Sequence, residues 1–215
     1  MTLAEEYINS KKYSEPFLIV ADEQTQGRGR KGNEWNSTLG GLWFNLVLDH
    51  ISTQRSFTLF IGYCITKALN ELNACNLFKL KWPNDIYLNS VKVCGIICSQ
   101  YEQFHKTSIG IGIDTNNYSE YLSIKQILNK NIENQLYLDV IINNILSQLN
   151  NFEEKGIDFF INYYKNHDFL NEKEITVISG NENFFGDYVG INPDGALLIN
   201  INGDIKAIYS GTLIN

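Results

Sequence analysis

The pattern of residues near the C-terminal end of the chain differs from that of the rest, and this difference constrains the fold most. After about residue 172, short runs rich in β-branched and aromatic residues alternate with turn sequences. Two of these turns contain Asp194-Gly195 and Asn202-Gly203, and such pairs are strong signals for β-hairpins. The predicted strands lie at 175–178, 184–191, 196–201 and 205–209. Their spacing predicts a small antiparallel barrel of about 40 residues.

The region before residue 170 mixes helical and strand patterns. Apolar residues recur at three- and four-residue steps over 57–73, which predicts an amphipathic helix. The compact apolar run at 17–21 is typical of a buried strand, and Pro83 predicts a turn at 82–85. Further helices are predicted at 3–9, 137–152 and 157–165, and further strands at 42–48, 77–81, 91–100 and 107–114. The chain is therefore predicted to have a large domain at 1–170 and a small one at 171–215.

Composition excludes several classes of protein. The chain has 17 Lys and Arg against 24 Asp and Glu, a net charge of −7, which argues against a general nucleic-acid binder. No apolar run reaches the roughly 18 residues of a membrane span, and the N-terminus lacks the features of a signal peptide. The four cysteines form no Cys-x-x-Cys pair and share no ligand spacing with the histidines. We therefore expect reduced thiols, no structural zinc and a cytoplasmic protein.

The sequence Gly-Arg-Gly-Arg-Lys-Gly at 27–32 concentrates three cations in an acidic chain. Arg28 and Arg30 carry planar guanidinium groups that suit carboxylate and phosphate. The three glycines allow the backbone to approach a ligand closely. Two interpretations fit these six residues equally well: a mobile loop that closes over an anionic ligand, or a solvated basic turn between strands.

Lys92 opens a strongly apolar predicted strand and is followed three residues later by Gly95. A lysine in that position either extends its ammonium group to the surface or directs it into a pocket. The segments Lys-Trp-Pro-Asn-Asp at 81–85 and Gly-Ile-Gly-Ile at 110–113 are each weak signals when taken alone.

Taken in order, these motifs resemble those of the biotin protein ligase family. The resemblance is carried by Ala-Asp-Glu-Gln-Thr-Gln-Gly-Arg-Gly-Arg-Lys-Gly-x-x-Trp at 21–35, Lys-Trp-Pro-Asn-Asp at 81–85, Lys-x-x-Gly-Ile at 92–96 and Gly-Ile-Gly-Ile at 110–113. The tail is similar to the family's C-terminal domain at 185–186, 194–198 and 209–211. The resemblance therefore covers nearly the whole chain.

The resemblance implies an α+β fold with two parts. The first is a mixed sheet with flanking helices, like the catalytic domain of class II aminoacyl-tRNA synthetases, and the second is an SH3-like β-barrel. It implies that biotin and MgATP form biotinyl-5′-AMP and pyrophosphate, and that biotin then passes to a lysine of a biotin carboxyl carrier protein. ATP, Mg²⁺ and biotin are thus the implied cofactors and substrates, the partner is a biotin-dependent carboxylase, and we expect a monomer or homodimer.

The same resemblance assigns roles to residues. The biotin-binding residues would be Gln24, Arg28, Gly29, Arg30, Lys92, Gly95 and Gly110. The ATP-binding residues would be Arg30, Trp35, Asn84, Lys92 and Asn116, and the catalytic residues would be Lys92, Arg30 and Asp85. Trp35 could cover the adenine or end the loop by packing, and Asp85 could prepare the incoming lysine or cap its turn. No residue is assigned to a metal.

The sequence departs from the family pattern in two places. Met1 falls on the third position of a Ser-Thr-Asn or Ser-Thr-Met segment that contacts biotin, so the Ser-Thr pair is absent from this sequence. Asp114 stands where the family has Asn, and Asn116, two residues on, could substitute for it. No helix-turn-helix fits before residue 17, so we expect a ligase that has no repressor function and binds no nucleic acid. The alternatives are a ligase for another carboxylate, such as lipoate or octanoate, and a non-catalytic degenerate paralogue.

Overall fold

A computed structural model of the chain describes residues 2–10 and 13–214. The helices are α1 Thr2–Asn9, α2 Phe57–Asn73, α3 Ile124–Leu128, α4 Asn134–Lys155 and α5 Ile161–Asn166. The strands are β1 Phe17–Ala21, β2 Leu42–Leu48, β3 Phe78–Lys81, β4 Asp85–Leu88, β5 Val91–Tyr101, β6 Lys106–Ile113, β7 Glu174–Ser179, β8 Glu182–Ile191, β9 Leu197–Ile201, β10 Asp204–Ile208 and β11 Thr212–Ile214. Met1, which was expected to fall on the Ser-Thr-Asn position, lies outside the described residues.

The first sheet has six strands in the order β1-β2-β6-β5-β4-β3, and every neighbouring pair is antiparallel. One face carries Ile109, Ile111 and Ile113 of β6, all buried. Helix α2 packs on this side against β3, β4 and β5, and Phe60 of α2 stacks on Phe152 of α4 with ring centroids 4.3 Å apart. Because each such side chain contributes roughly 1.5–3 kcal/mol when fully buried, this face is the main core of the protein.

The opposite face of the first sheet is covered only at one end. Ala4 and Ile8 of α1, four residues apart and therefore on one helix face, pack on Val47 of β2. Beyond α1, this face is free to form the floor of a cavity.

The second sheet has five antiparallel strands in the order β10-β9-β8-β7-β11. It is not the closed barrel that the hairpin spacing predicts, because no pairing joins its edge strands β10 and β11 within residues 13–214. Apolar side chains that would fill a barrel, such as Val177 and Ile199, instead belong to the same core cluster as the first sheet. Trp82 Nε1 also donates to the Gly195 carbonyl oxygen at 3.0 Å, which ties the two sheets together.

Most predicted elements are confirmed, and the differences have local causes. The bounds of β1, β2 and α2 agree with the prediction. The short elements α3, β4 and β11 were missed because they hold only three to five residues. The predicted helix at 157–165 begins instead with a 3₁₀ turn, Gly156–Phe159, and continues as α5. The predicted turn at 82–85 ends one residue early, since Asp85 is already the first residue of β4.

Strand β1 is not the buried strand that its apolar run predicts. It is an edge strand, paired only with β2, and its residues alternate between partly buried and exposed. Leu18 and Val20 are 38% and 51% exposed because they face away from the side that α1 covers. Within the described residues, the structure holds no helix long and apolar enough to cross a membrane.

Candidate active site

A cavity of about 790 Å³ lies on the face of the first sheet that α1 leaves open. Its floor comes from β1, β2, β5 and β6, and its roof comes from the loop that joins β1 to β2. Thr212 of the second sheet completes the wall. Two sheets and one loop therefore enclose the cavity, and all three supply side chains to it.

The strand register explains the shape of the floor. Asp85, Gly95, Gly112, Trp43 and Ala21 are consecutive cross-strand partners, so they lie in one row on one face of the sheet. Side chains alternate between the two faces of a strand. The sequence Gly-Ile-Gly-Ile therefore sends its isoleucines into the core and turns its glycines to the cavity, which leaves a flat floor.

A second row lies about 7 Å further along the strands, two residues from the first. It consists of Ile97, Gly110, Asn45 and Ile19, again as consecutive cross-strand partners. All four line the cavity. This row is mainly apolar and lies towards α1.

The basic loop is an ordered hairpin-like excursion. The Trp35 amide donates to the Gly27 carbonyl oxygen at 2.9 Å, and the Gly29 amide donates to that of Asn33 at 2.6 Å. Gly27 is required for a close approach, because a β-carbon there would collide with the Trp35 carbonyl oxygen. The loop lines the cavity with Arg28, Gly29 and Arg30, which favours the interpretation as a loop over a ligand against that of a solvated turn.

Arg30 joins the loop to both sheets. Its Nη1 donates to Asn84 Oδ1 at 2.9 Å, and its Nη2 donates to the Gly211 carbonyl oxygen at 3.2 Å. The neighbouring Lys31 Nζ donates to Thr212 Oγ1 at 3.1 Å. Burial lowers the pKa of Arg30, and the charge of Asp85 opposes this shift. An arginine stays charged under such conditions, so a fixed cation lies between the loop and the floor.

Lys92 directs its ammonium group into the cavity rather than away from it. Its Nζ lies 2.8 Å from Asp85 Oδ1 and 5.0 Å from the centroid of the Trp35 ring. About a third of the Lys92 side chain, 36%, is exposed. The ammonium group is therefore held by a carboxylate and a ring face while it remains open to a ligand.

Trp35 packs flat against the glycine floor. A β-carbon at Gly95 would lie 3.0 Å from Trp35 Cζ3, and one at Gly112 would lie 2.5 Å from Trp35 Nε1. A side chain at position 112 would therefore force the indole to move, and one at position 95 would press closely against it. Packing, one of the two predicted roles of Trp35, is observed, and contact with adenine stays a prediction.

The structure brings together nearly all of the residues predicted for the site. Those that line the cavity are Gln24, Arg28, Gly29, Arg30, Trp35, Asn84, Asp85, Lys92, Gly95 and Gly110. Asn116 is not among the lining residues: its Nδ2 donates to the Ile132 carbonyl oxygen at 2.9 Å and to Asn134 Oδ1 at 3.0 Å. Asp114 lines the cavity instead.

The lining residues that were not predicted for the site include Asn45, Gly112, Tyr121 and Thr212. Gly112 could have been found, because it repeats Gly110 two residues on and must share its face. Thr212 carries no such signal, since it contacts a loop that precedes it by 181 positions in the sequence.

Asp114 is a buried carboxyl group at the edge of the cavity. It is 6% exposed, and Asn117 Nδ2 donates to its Oδ1 at 2.7 Å. Burial raises the pKa of Asp114 from 3.8 to about 6, while the hydrogen bond from Asn117 and the charge of Lys92 act in the opposite direction. The folded state therefore binds this proton more tightly than the unfolded state does, and the free energy of unfolding falls as pH rises from about 4 to about 6.

We expect Asp114→Asn to remove this pH dependence. The pKa shift corresponds to about 2–3 kcal/mol. The free energy of unfolding of the variant minus that of the wild type should therefore be larger at pH 7.5 than at pH 4 by this amount. The asparagine keeps an acceptor for Asn117. Urea unfolding at the two pH values measures the difference, with the exposed Asp158→Asn as the control. An equal gain at both pH values would contradict the assignment.

Proteins of known family share sequence with this chain. The chain matches the Biotin/lipoate A/B protein ligase family over residues 1–116 and the Biotin protein ligase C terminal domain over residues 172–213. It is 30% identical to the Bifunctional ligase/repressor BirA of Bacillus subtilis, over 93% of this chain and 66% of the relative. The identity to BirA of Escherichia coli K12 is 27%, over 90% and 64%. The chain thus spans about two-thirds of the length of these curated relatives.

The fold gives the same result. The biotin protein ligase from Aquifex aeolicus, solved in complex with biotin and ATP, superposes with a TM-score of 0.81 at 29% identity, over 92% of this chain and 87% of that chain. The shared architecture is a mixed α+β fold followed by a C-terminal antiparallel sheet. Since the family match covers more than half of its residues, the chain belongs to the biotin/lipoate A/B protein ligase family.

Proposed function

We propose that the protein is an ATP-dependent biotin–protein ligase. The observation that carries this proposal is the placement of two cations, Arg30 held by Asn84 and Lys92 held by Asp85, in a glycine-floored cavity that a basic loop covers. Relatives in the same family are named as biotin protein ligases, and one was solved with biotin and ATP.

In the first reaction, the carboxylate oxygen of biotin attacks the α-phosphorus of ATP and pyrophosphate leaves. Two anions must approach each other, and fixed cations in a site that excludes water reduce their repulsion most effectively. We propose that Lys92 contacts both the carboxylate and the phosphate, and that Arg28 and Gln24 hold biotin. Gly95 and Gly110 leave room for its flat ring system.

The product of this step is a mixed anhydride that water can hydrolyse, so the site must keep it covered. Arg30 holds the loop to Asn84 and to the Gly211 carbonyl oxygen, and Lys31 adds a contact to Thr212. We propose that these contacts keep the roof closed until the acceptor arrives. The second sheet would thereby take part in retaining the intermediate.

In the second reaction, a lysine amine of a biotin carboxyl carrier protein attacks the acyl carbon, and AMP leaves. The ammonium form is no nucleophile, so a base must accept a proton. Asp85 lines the cavity beside Lys92 and is our candidate for this role.

Mg²⁺ would enter as part of MgATP. Among residues 2–10 and 13–214, no group of three or more His, Cys, Asp or Glu residues could hold a metal ion. Mg²⁺ commonly binds one or two carboxylates together with substrate phosphates. The carboxylates that line the cavity belong to Glu23, Glu34, Asp85 and Asp114, and one or two of them would fit that mode, with the phosphates supplying the remaining ligands.

We also propose several features of the fold and assembly. These are a first sheet of the class II synthetase type, an SH3-like second sheet, a domain boundary near residue 170, and a monomer or homodimer. A carboxylase carrier domain as partner and a cytoplasmic location belong with them. The four free cysteines support the cytoplasmic location.

The test is to incubate the full chain with MgATP, a carrier domain and biotin, and to measure pyrophosphate release and the mass of the carrier. Biotin-dependent pyrophosphate release and a carrier heavier by one biotinyl group are expected. Turnover with lipoate or octanoate but not with biotin would select the first alternative. No turnover with any of the three would select the non-catalytic paralogue.

A further inference from the structure

One polar side chain in the cavity floor has incomplete hydrogen bonds. Asn45 lies in the second row, between Ile19 and Gly110, and is only 4% exposed. Its Oδ1 accepts a hydrogen bond from Ser108 Oγ at 3.0 Å. Its Nδ2 is buried and has no hydrogen-bond partner in the described part of the chain. Because buried polar groups are nearly always paired, this donor needs an explanation.

The surroundings of Asn45 indicate what could pair with it. Ile19 and Ile97 make this part of the floor apolar, and Gly110 beside Asn45 has no side chain to cover the amide. Asn45 lines the cavity, and the hydrogen bond from Ser108 occupies its Oδ1, so Nδ2 is the group of this amide that is left to pair. A ligand that satisfies this position is largely apolar and carries one strong hydrogen-bond acceptor.

The distance from the cationic groups sets which end of the ligand this is. Asp85, the partner of Lys92, lies in the first row on β4, and Asn45 lies in the second row on β2. The two backbone positions are therefore about 7 Å apart along the strands and, across three strand spacings, about 14 Å apart across the sheet. A substrate whose carboxylate lies near Lys92 therefore reaches Asn45 with its other end.

We infer that Asn45 is a specificity-determining residue whose Nδ2 donates a hydrogen bond to the carbonyl oxygen of a cyclic urea at the far end of the substrate. This inference rests on the proposed function and adds the means by which the site separates biotin from lipoate and octanoate. A urea carbonyl is a strong acceptor. A dithiolane ring or an alkyl chain has none of comparable strength, so Nδ2 would stay buried and unpaired.

The test is calorimetric titration of the full chain with three ligands. Biotin and desthiobiotin both carry the urea, and desthiobiotin lacks the sulfur, whereas lipoate has sulfur and no urea. We expect Asn45→Leu to weaken the binding of biotin and of desthiobiotin by the same factor, roughly tenfold. The binding of lipoate should be unchanged or tighter. The same substitution at the exposed Asn183 of β8 is the matched control and should alter none of the three.

Thermal unfolding of each variant shows whether it is folded, and Asn45→Ser serves if Asn45→Leu is not, since a serine is too short to reach the ligand. A wild type that prefers biotin, with variants that keep this preference in full, overturns the role of Asn45 and leaves the ligase function standing. A wild type that binds lipoate as tightly as biotin, or binds neither, overturns both.

Discussion

Lys92→Met is expected to stop adenylate formation while the protein stays folded. Lys92 Nζ is held 2.8 Å from Asp85 Oδ1 in the cavity, where we propose that it contacts both reacting anions. Removing one group that stabilises charge in a transition state typically lowers the rate by roughly 10²–10³-fold. We expect a loss of that size in biotin-dependent pyrophosphate release.

Two further variants separate the charge of Lys92 from its packing. Lys67→Met, in α2, removes a lysine whose Nζ lies 3.9 Å from Glu71 Oε1 outside the cavity, and it should retain wild-type rates. Lys92→Arg keeps the positive charge in a larger group and should recover part of the activity. Circular dichroism and thermal unfolding establish that each variant is folded. Wild-type pyrophosphate release by Lys92→Met would refute the role given to Lys92.

Gly112→Ala is expected to disrupt the floor of the cavity although it adds a single methyl group. The backbone of Gly112 is not in the left-handed region, so alanine fits its conformation. The new β-carbon would, however, lie 2.5 Å from Trp35 Nε1 and 2.9 Å from its Cε2. Overpacking of this kind costs about 1–3 kcal/mol, and we expect the free energy of unfolding to fall by that amount. Biotin and ATP should bind more weakly, because the indole must move within the cavity.

The double variant Gly112→Ala with Trp35→Leu tests whether the indole is the cause. If the methyl group acts through Trp35, the changes in free energy of unfolding caused by the two single substitutions should not add up to the change in the double variant. Trp35→Leu removes the indole with which the methyl group collides. Urea unfolding of the four proteins in the cycle gives this coupling energy. Additive changes would place the effect of Gly112 elsewhere in the floor.

Much of the fold could be predicted because its signals are local. The three- and four-residue spacing of apolar residues marks α2 from end to end, and the Asp-Gly and Asn-Gly turns mark the hairpins of the second sheet. The open second sheet could not be predicted in this way. Its apolar side chains give the same sequence pattern whether they fill a barrel or join a neighbouring core. Only the packing against the first sheet decides between the two arrangements.

Some residues of the candidate site could likewise be predicted from the sequence, and others could not. The charged residues of the basic loop and Lys92 stand out because cations between glycines or at the start of an apolar strand are unusual. Asn45 does not stand out, since a single polar residue in an apolar strand can face solvent, a partner or a cavity. Its significance comes from burial and from an Nδ2 that has no hydrogen-bond partner among residues 2–10 and 13–214.

The sequence by itself determined most helices and strands, the cations available for catalysis and the glycines that can form a flat surface. These depend on residue type and on spacing along the chain. Only the tertiary structure decided that Asp85, Gly95, Gly112, Trp43 and Ala21 form one row. It alone showed that the loop is held by Arg30 to Gly211, which lies 181 residues away. Strand register and contacts between distant segments are set by the packing of the whole core, so neither can be predicted from a local stretch of residues.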